Sequence, residues 1–299
     1  MALNSLYLEA FYACVQVGNF TRAAEKLHIT QSALSQRIKN LEESLGVTLL
    51  IREKKGIRPT EFGERLVQYC SAKYAAEDEL VSSVKAPHSK LLSGIVRIGA
   101  FSSAARSFVL PALSDLLLAH PQIQLRLVVQ ELYNLEPLLR SGEIDFLMTT
   151  RILQRQGILH RKLGVETNVQ VQKRGYQGRD VFLDHDEEDT TTLDYFKQKD
   201  RGKIQRQYLD DIYGIIDGVR LGLGKAVVPK HLIDGMPDIE IVNPSKTLLA
   251  PVILHYYEQP FYSRLHEAVV QALTSHQLGS FTKPQRLKIR QFERSPVSR

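Results

Sequence analysis

Gln31, Ser32, Ser35, Gln36 and Lys39 fall on one side of a segment whose other side carries Leu34, Ile38, Leu41 and Leu45. That apolar spacing is one stripe of an amphipathic helix. The polar side then presents amide, hydroxyl and ammonium groups at the helix's N-terminal end. Gln pairs bidentately with adenine, Lys reaches guanine or phosphate, and Ser hydroxyls accept either partner. The chemistry on offer is the reading of base edges rather than bond making. Thr30 caps this helix, and a shorter helical run, RAAEKL, precedes it across the tight turn His28-Ile29-Thr30, with Thr21 as its expected cap. Two short helices joined in this way form a helix-turn-helix, whose second helix docks in the major groove.

The elements around it have to hold that helix in place. Leu3, Leu6, Tyr7, Ala10, Phe11, Cys14 and Val15 mark a preceding helix that ends at Gly18, with Cys14 as a small core residue. After Gly46, the β-prone run Val47–Ile51 leads through Arg52-Glu53-Lys54-Lys55-Gly56 to Ile57-Arg58-Pro59, which predicts a basic hairpin beside the recognition helix. Arg52, Lys54 and Arg58 are its candidate phosphate contacts. Together these pieces predict a winged helix-turn-helix over residues 1–59.

The string GNFTRAAEKLHITQSALSQRIKNLEESLGVTLLIREKKGIRPTEFGERL resembles the DNA-binding region of LysR-type transcriptional regulators. The resemblance implies DNA contact by Thr30 and Gln31, with Ser32, Ser35, Gln36 and Lys39 at the following positions and Arg52 on phosphate. Many members have Pro where this chain has Ser32. TQSALSQRIK, with RPTE later, is closer to the arginine/lysine-responsive subgroup.

Thr60 caps a long helix over residues 60–88 with one apolar seam, Phe62, Leu66, Tyr69/Cys70, Tyr74 and Leu80/Val81. Such a seam suits a partner helix. In the resembling family this helix forms the dimer contact, so a homodimer or homotetramer on double-stranded DNA is expected. KAPHSKLLS reads as a hinge.

From Gly94 strands and helices alternate. Two similar sets predict two α/β lobes with mainly parallel sheets over 89–282 and a small-molecule cleft between them. The resemblance implies the same: a two-lobed, periplasmic-binding-protein-like α/β effector domain. Ser102 and Ser103 follow the first strand, where the family binds an effector carboxylate, and Thr149 and Thr150 end another strand of that lobe. In the second lobe the matching positions are acidic, at Asp184 and Asp211. A basic amino acid would suit that arrangement, with its carboxylate toward Ser102/Ser103 and its cation toward Asp184 or Asp211. The stretch between Leu163 and Asp180 is shorter than the family's, which predicts a narrowed pocket.

The charge agrees with a polyanionic partner. The chain carries +6, with the excess at its two ends: residues 1–60 hold +3 and the tail 283–299 holds +5. No apolar run approaches the ~18 residues of a membrane span. The first ten residues lack a secretory signal, and Cys14 and Cys70 make no disulfide framework, so the sequence reads as cytoplasmic. There is no Walker A run, no Gly-x-Ser-x-Gly and no Cys-x-x-Cys, and Gly222-Leu223-Gly224 lacks a third glycine. Asp184-His185-Asp186 has no second histidine at ligand spacing. The reading is a non-enzymatic regulator with no cofactor or metal. Its rival is an effector-independent architectural DNA-binding protein, suggested by the short second lobe and basic tail.

Overall fold

The computed structural model describes residues 3–53, 56–85, 91–198, 201–259 and 261–276. Lys54 and the tail 283–299 lie outside them. Three helices come first: α1 (Ser5–Val17), α2 (Phe20–Lys26) and α3 (Gln31–Leu45). Their caps are local. Gly18 and Gly46 close α1 and α3 in the left-handed conformation, and the Thr30 hydroxyl accepts the Ala33 N–H. The cap of α2 is Asn19 rather than Thr21. The extended Asn19 backbone aims its side-chain oxygen at the Arg22 N–H, so the helix starts two residues earlier, at Phe20.

The wing is the antiparallel pair β1 (Leu50–Glu53) and β2 (Gly56–Pro59). Gly56 has φ +136°, and a Cβ there would lie 2.8 Å from the Gly18 carbonyl oxygen. That carbonyl also accepts the Ile57 N–H. The glycine lets the wing fold back onto the end of α1. Phe11, Leu34, Leu41 and Leu49 fill the shared core, where Cys14 and Cys70 are also buried. Burial pushes both thiols up to about 12, so neither is a reactive nucleophile.

Helix α4 (Glu61–Lys85) follows, with Thr60 accepting the Gly63 N–H. Its expected single seam is two. Leu66, Cys70 and Tyr74 pack into the core beneath α1, whereas Phe62, Tyr69, Leu80 and Val81 remain exposed on another face.

Lobe 1 contains the parallel strands β3 (Ser93–Ala100), β4 (Gln122–Val129) and β5 (Phe146–Thr149). Its helices are α5 (Ser102–Ala104), which continues through a π turn at Ala105–Val109, α6 (Leu110–Ala119) and α7 (Leu132–Arg140). Two long strands then connect the lobes, β6 (Ile158–Lys173) and β11 (Leu248–Tyr257), paired antiparallel from Ile158↔Tyr257 to Asn168↔Leu248. Lobe 2 hangs on the far half of β6. It comprises β7 (Val181–Asp184), α8 (Thr191–Phe196), β8 (Gln205–Tyr208), α9 (Ile212–Leu221), β9 (Ala226–Pro229) and β10 (Ile239–Ile241). Helix α10 (Arg264–Ser275) returns to lobe 1.

The outer strands of each lobe are parallel, as expected, but the crossover is antiparallel. A strand that pairs with lobe 1 at one end and lobe 2 at the other must pass between them, and a second must bring the chain back. A seven-residue link, 174–180, joins β6 to β7. It sits beside the C-terminal end of α9, where Gly222 approaches Lys173.

Candidate DNA interface and effector cleft

On α3, Gln31, Ser32, Gln36 and Lys39 are exposed and Ser35 is half-buried, one outward face as expected. The Thr30 hydroxyl caps the helix and lies 3.0 Å from Ser32 Oγ. Gln36 Nε2 donates to Asn40 Oδ1 at 2.7 Å, and Asn40 Nδ2 donates to Tyr7 Oη at 3.2 Å. This chain orients the Gln36 amide from the core outward. Asn40 was not among the sequence candidates, although its i+4 spacing from Gln36 signals the pairing. Lys39 lies 3.6 Å from Glu43 in an exposed, weakly held pair. In the wing, the Arg52 guanidinium lies 4.3 Å from the Phe20 ring centroid, which fixes its stem while leaving its edge for a phosphate. Arg58 pairs with Glu53 at 3.0 Å with both side chains about half exposed, so a phosphate competes with that carboxylate.

In the cleft, Ser103 is buried and its hydroxyl donates to Glu166 Oε1 at 2.8 Å. Glu166 lies on β6 and is 4% exposed. Burial pushes its carboxyl up to about 7, with the Ser103 hydrogen bond pulling the other way. His231, just after β9, lies 3.8 Å from the same oxygen. Burial lowers that imidazole's pKa, so it is no source of positive charge for Glu166 at neutral pH. Around this pair, further side chains of the two lobes meet. His185 Nδ1 is 3.4 Å from Glu131, Tyr133 Oη donates to Asp186 at 3.3 Å, and the Arg106 guanidinium lies 4.3 Å from the Tyr213 ring centroid.

The other candidates are placed differently. Ser102 begins α5 beside Ser103 and is half-buried. Thr149 is buried and hydrogen bonds to His255 Nε2 at 2.9 Å, which ties it to β11. Thr150 is half-buried just beyond it. Asp184 is 2% exposed, and its two oxygens take Thr192 Oγ1 and Arg206 Nη1 at 2.5 and 3.0 Å. The cation expected from a ligand is therefore supplied from within the chain. Asp211 caps α9 through the Gly214 N–H. The carboxylate that faces Ser103 is Glu166, which strand alternation alone did not single out. Among the described residues no group of three or more His, Cys, Asp or Glu is placed to hold a metal, and no helix is long and apolar enough to cross a membrane.

Residues 7–64 match the bacterial regulatory helix-turn-helix protein, lysR family, and residues 89–277 match the LysR substrate binding domain. The chain belongs to the LysR family of bacterial regulators. The curated relatives it matches are named as transcriptional regulators. It is 35% identical over 143 residues to the probable regulator LrrA of Synechococcus elongatus (48% of each chain). It is 39% identical over 130 residues to ArgP of Aeromonas salmonicida (44% of this chain, 42% of that one). The chain thus spans about half the length of the curated relatives it matches. Its fold is that of full-length LysR-type structures. ArgP from Mycobacterium tuberculosis superposes with a TM-score of 0.78 at 22% identity, covering 95% of this chain and all of that one. LysG from Corynebacterium glutamicum with bound effector Arg gives 0.74 at 20% identity, covering 91% and 97%.

Proposed function

We propose that this LysR-type chain is a homo-oligomeric, sequence-specific transcriptional regulator acting on DNA in the cytoplasm, and that its inter-lobe cleft takes a small molecule carrying both a carboxylate and a cation, of which a basic amino acid is the simplest. The observation that carries the effector class is Glu166. A carboxylate buried in the cleft, held by one hydroxyl and beside a neutral imidazole, gains most from a ligand that brings its own positive charge. Ser102, at the start of the helical run from α5, is placed for the ligand's carboxylate. The names of ArgP and of arginine-bound LysG point the same way.

Calorimetry on the full-length protein at pH 8 tests this. L-arginine is expected to bind, and L-citrulline, its uncharged near-isostere, at least roughly tenfold more weakly, because a buried charge-assisted bond is worth about 1.5–3 kcal/mol. Equal affinity for the two would overturn the assignment of Glu166 to a cation.

On DNA, the Gln31, Ser32, Ser35, Gln36 and Lys39 face reads bases, and Arg52, Lys54 and Arg58 grip phosphates. Sequencing of genomic fragments captured by the purified protein at physiological salt is expected to return a few promoters with two-fold-symmetric sites. Shallow enrichment tracking base composition would instead identify an architectural binder. On a captured site, Gln36→Ala is expected to lose roughly tenfold in affinity with bulk DNA binding unchanged, while Arg52→Ala weakens both and lowers the salt slope by about one. Equal losses for both variants on both DNAs would refute that division.

A further inference from the structure

An amide that reads a base has a stem with several rotatable bonds, and ordering that stem on DNA costs conformational entropy. Its two ends are also chemical opposites, so a half-turn of the terminal bond exchanges an acceptor for donors. Gln36 is exposed on α3, yet it is held against both kinds of freedom. Its Nε2 donates to Asn40 Oδ1 at 2.7 Å, and Asn40 Nδ2 donates to Tyr7 Oη at 3.2 Å. Asn40 and Tyr7 are half-buried, and Tyr7 packs against the core shared by α1 and α3. The Gln36 terminus is thus anchored, through Asn40, on another helix. Its neighbours on that face are held differently. Ser32 lies against its own cap residue Thr30, and Lys39 pairs with Glu43 on the same helix.

The spacing makes the link possible. Residues four apart are neighbours on a helix, and side chains tilt toward its N-terminus, so Asn40 leans back onto Gln36. A planar amide has one N–H beside its own chain and one beside its oxygen. A partner on the same helix meets the first. Oε1 and the second N–H are then left side by side, turned away from Asn40. Adenine presents an N6 donor and an N7 acceptor in the major groove, the complement of that pair. Guanine presents two acceptors there, and its O6 would confront Oε1.

We propose that Asn40, braced by Tyr7, is a positioning residue that sets which end of the Gln36 amide faces the DNA, so that the base beneath Gln36 is read as adenine. The inference rests on the reading of the α3 face as the base-reading surface. Asn40 acts through Gln36 and has no DNA contact of its own. Without it Gln36 is still present but free to turn. The loss then falls on discrimination at one base pair rather than on binding at large.

The test uses full-length protein and a library of duplexes randomised over the site, with bound and unbound duplexes sequenced to give the preference at each base pair. In the parent, one pair in each half-site is expected to prefer adenine by roughly tenfold and to lose that preference in Gln36→Ala, which identifies the pair under Gln36. Asn40→Ala is expected to cut the same preference to about threefold or less, the worth of one hydrogen bond, with the other pairs as in the parent. Tyr7→Phe, which removes only the hydroxyl, is expected to fall between. Asn40→Asp keeps the accepting oxygen, so it retains the adenine preference while its charge weakens binding to every duplex. Adding Asn40→Ala to Gln36→Ala is expected to change nothing further, because the two residues act as a unit. A merely structural role would lower affinity for every sequence and persist in the double variant. Parental preference in Asn40→Ala, equal flattening at all pairs, guanine favoured at the Gln36 pair, or a loss in Asn40→Asp as complete as in Asn40→Ala overturns the proposal. A Gln36→Ala profile identical to the parent's overturns the base-reading role of Gln36 as well, which separates the two failures.

Discussion

Arg206→Ala is expected to destabilise lobe 2 by about 3–5 kcal/mol, the usual cost of stripping one partner from a buried ion pair. The Arg206 and Asp184 side chains are 4% and 3% exposed. The guanidinium reaches Asp184 at 3.0 Å, the Asp189 carbonyl at 2.7 Å and the Glu187 carbonyl at 3.2 Å. It therefore neutralises the strand-end carboxylate and also stitches the acidic 184–189 loop to β8. Burial already pushes the Asp184 carboxyl above its ordinary range, and the Thr192 and Arg206 hydrogen bonds pull it back. With Arg206 gone that carboxylate must take up a proton or draw in water. Urea unfolding of the full chain, followed by circular dichroism, gives the loss. Hydrogen exchange should place it in β7, β8 and α8 rather than in the winged helix. Pairing Arg206→Met with Asp184→Asn is expected to recover part of the stability, because no unpaired charge remains. A loss below about 1 kcal/mol for Arg206→Ala would mean that water reaches Asp184 and that the pair is a surface one.

The Asp184–Arg206 pair also shows why only part of the site was legible in the sequence. The winged helix was readable because its determinants are local. Thr30 caps the helix that starts beside it, Gly18 and Gly46 stop helices at their own positions, and Leu34, Ile38 and Leu41 repeat at a helix's period. The polar face of α3 follows from that period, so the candidate base-reading residues came with it. The cleft is built from distant pairs. Ser103 meets Glu166 across 63 positions, and Asp184 meets Arg206 across 22. Strand alternation assigns a side chain to a face but says nothing about what stands opposite. An acidic residue at a strand end therefore looked available to a ligand when an arginine two elements later had already claimed it. Glu166, inside what read as an ordinary second-lobe strand, became a cleft residue only because β6 runs through both lobes. The seam of α4 failed for a related reason. Seven-residue spacing does not say which residues pack beneath α1 and which face outward.

Glu166→Gln is expected to raise the melting temperature at pH 8.5 by several degrees and to leave it unchanged near pH 4.5. Burial lifts the Glu166 carboxyl from its ordinary 4.5 to about 7, so the folded chain holds this proton more tightly than the unfolded chain does. The stability this group contributes is fully present below pH 4.5. It declines as pH rises toward 7 and is gone above that, where the folded chain must bury an ionised carboxylate. A gap of this size corresponds to roughly 3 kcal/mol between the two limits. Glutamine keeps the oxygen that accepts the Ser103 hydroxyl and carries no charge to bury at any pH, so the variant escapes the decline. Melting curves of both proteins from pH 4.5 to 8.5 give the difference directly, with the other carboxylates cancelling between them. The curves should separate through pH 5–7 and run parallel above. A saturating cationic ligand should close the gap at high pH by stabilising the parent alone, since the ionised carboxylate then has its partner and glutamine offers none. Parallel curves over the whole range would show that Glu166 is solvated in the folded chain, and the argument for a cation in the cleft would lose its footing.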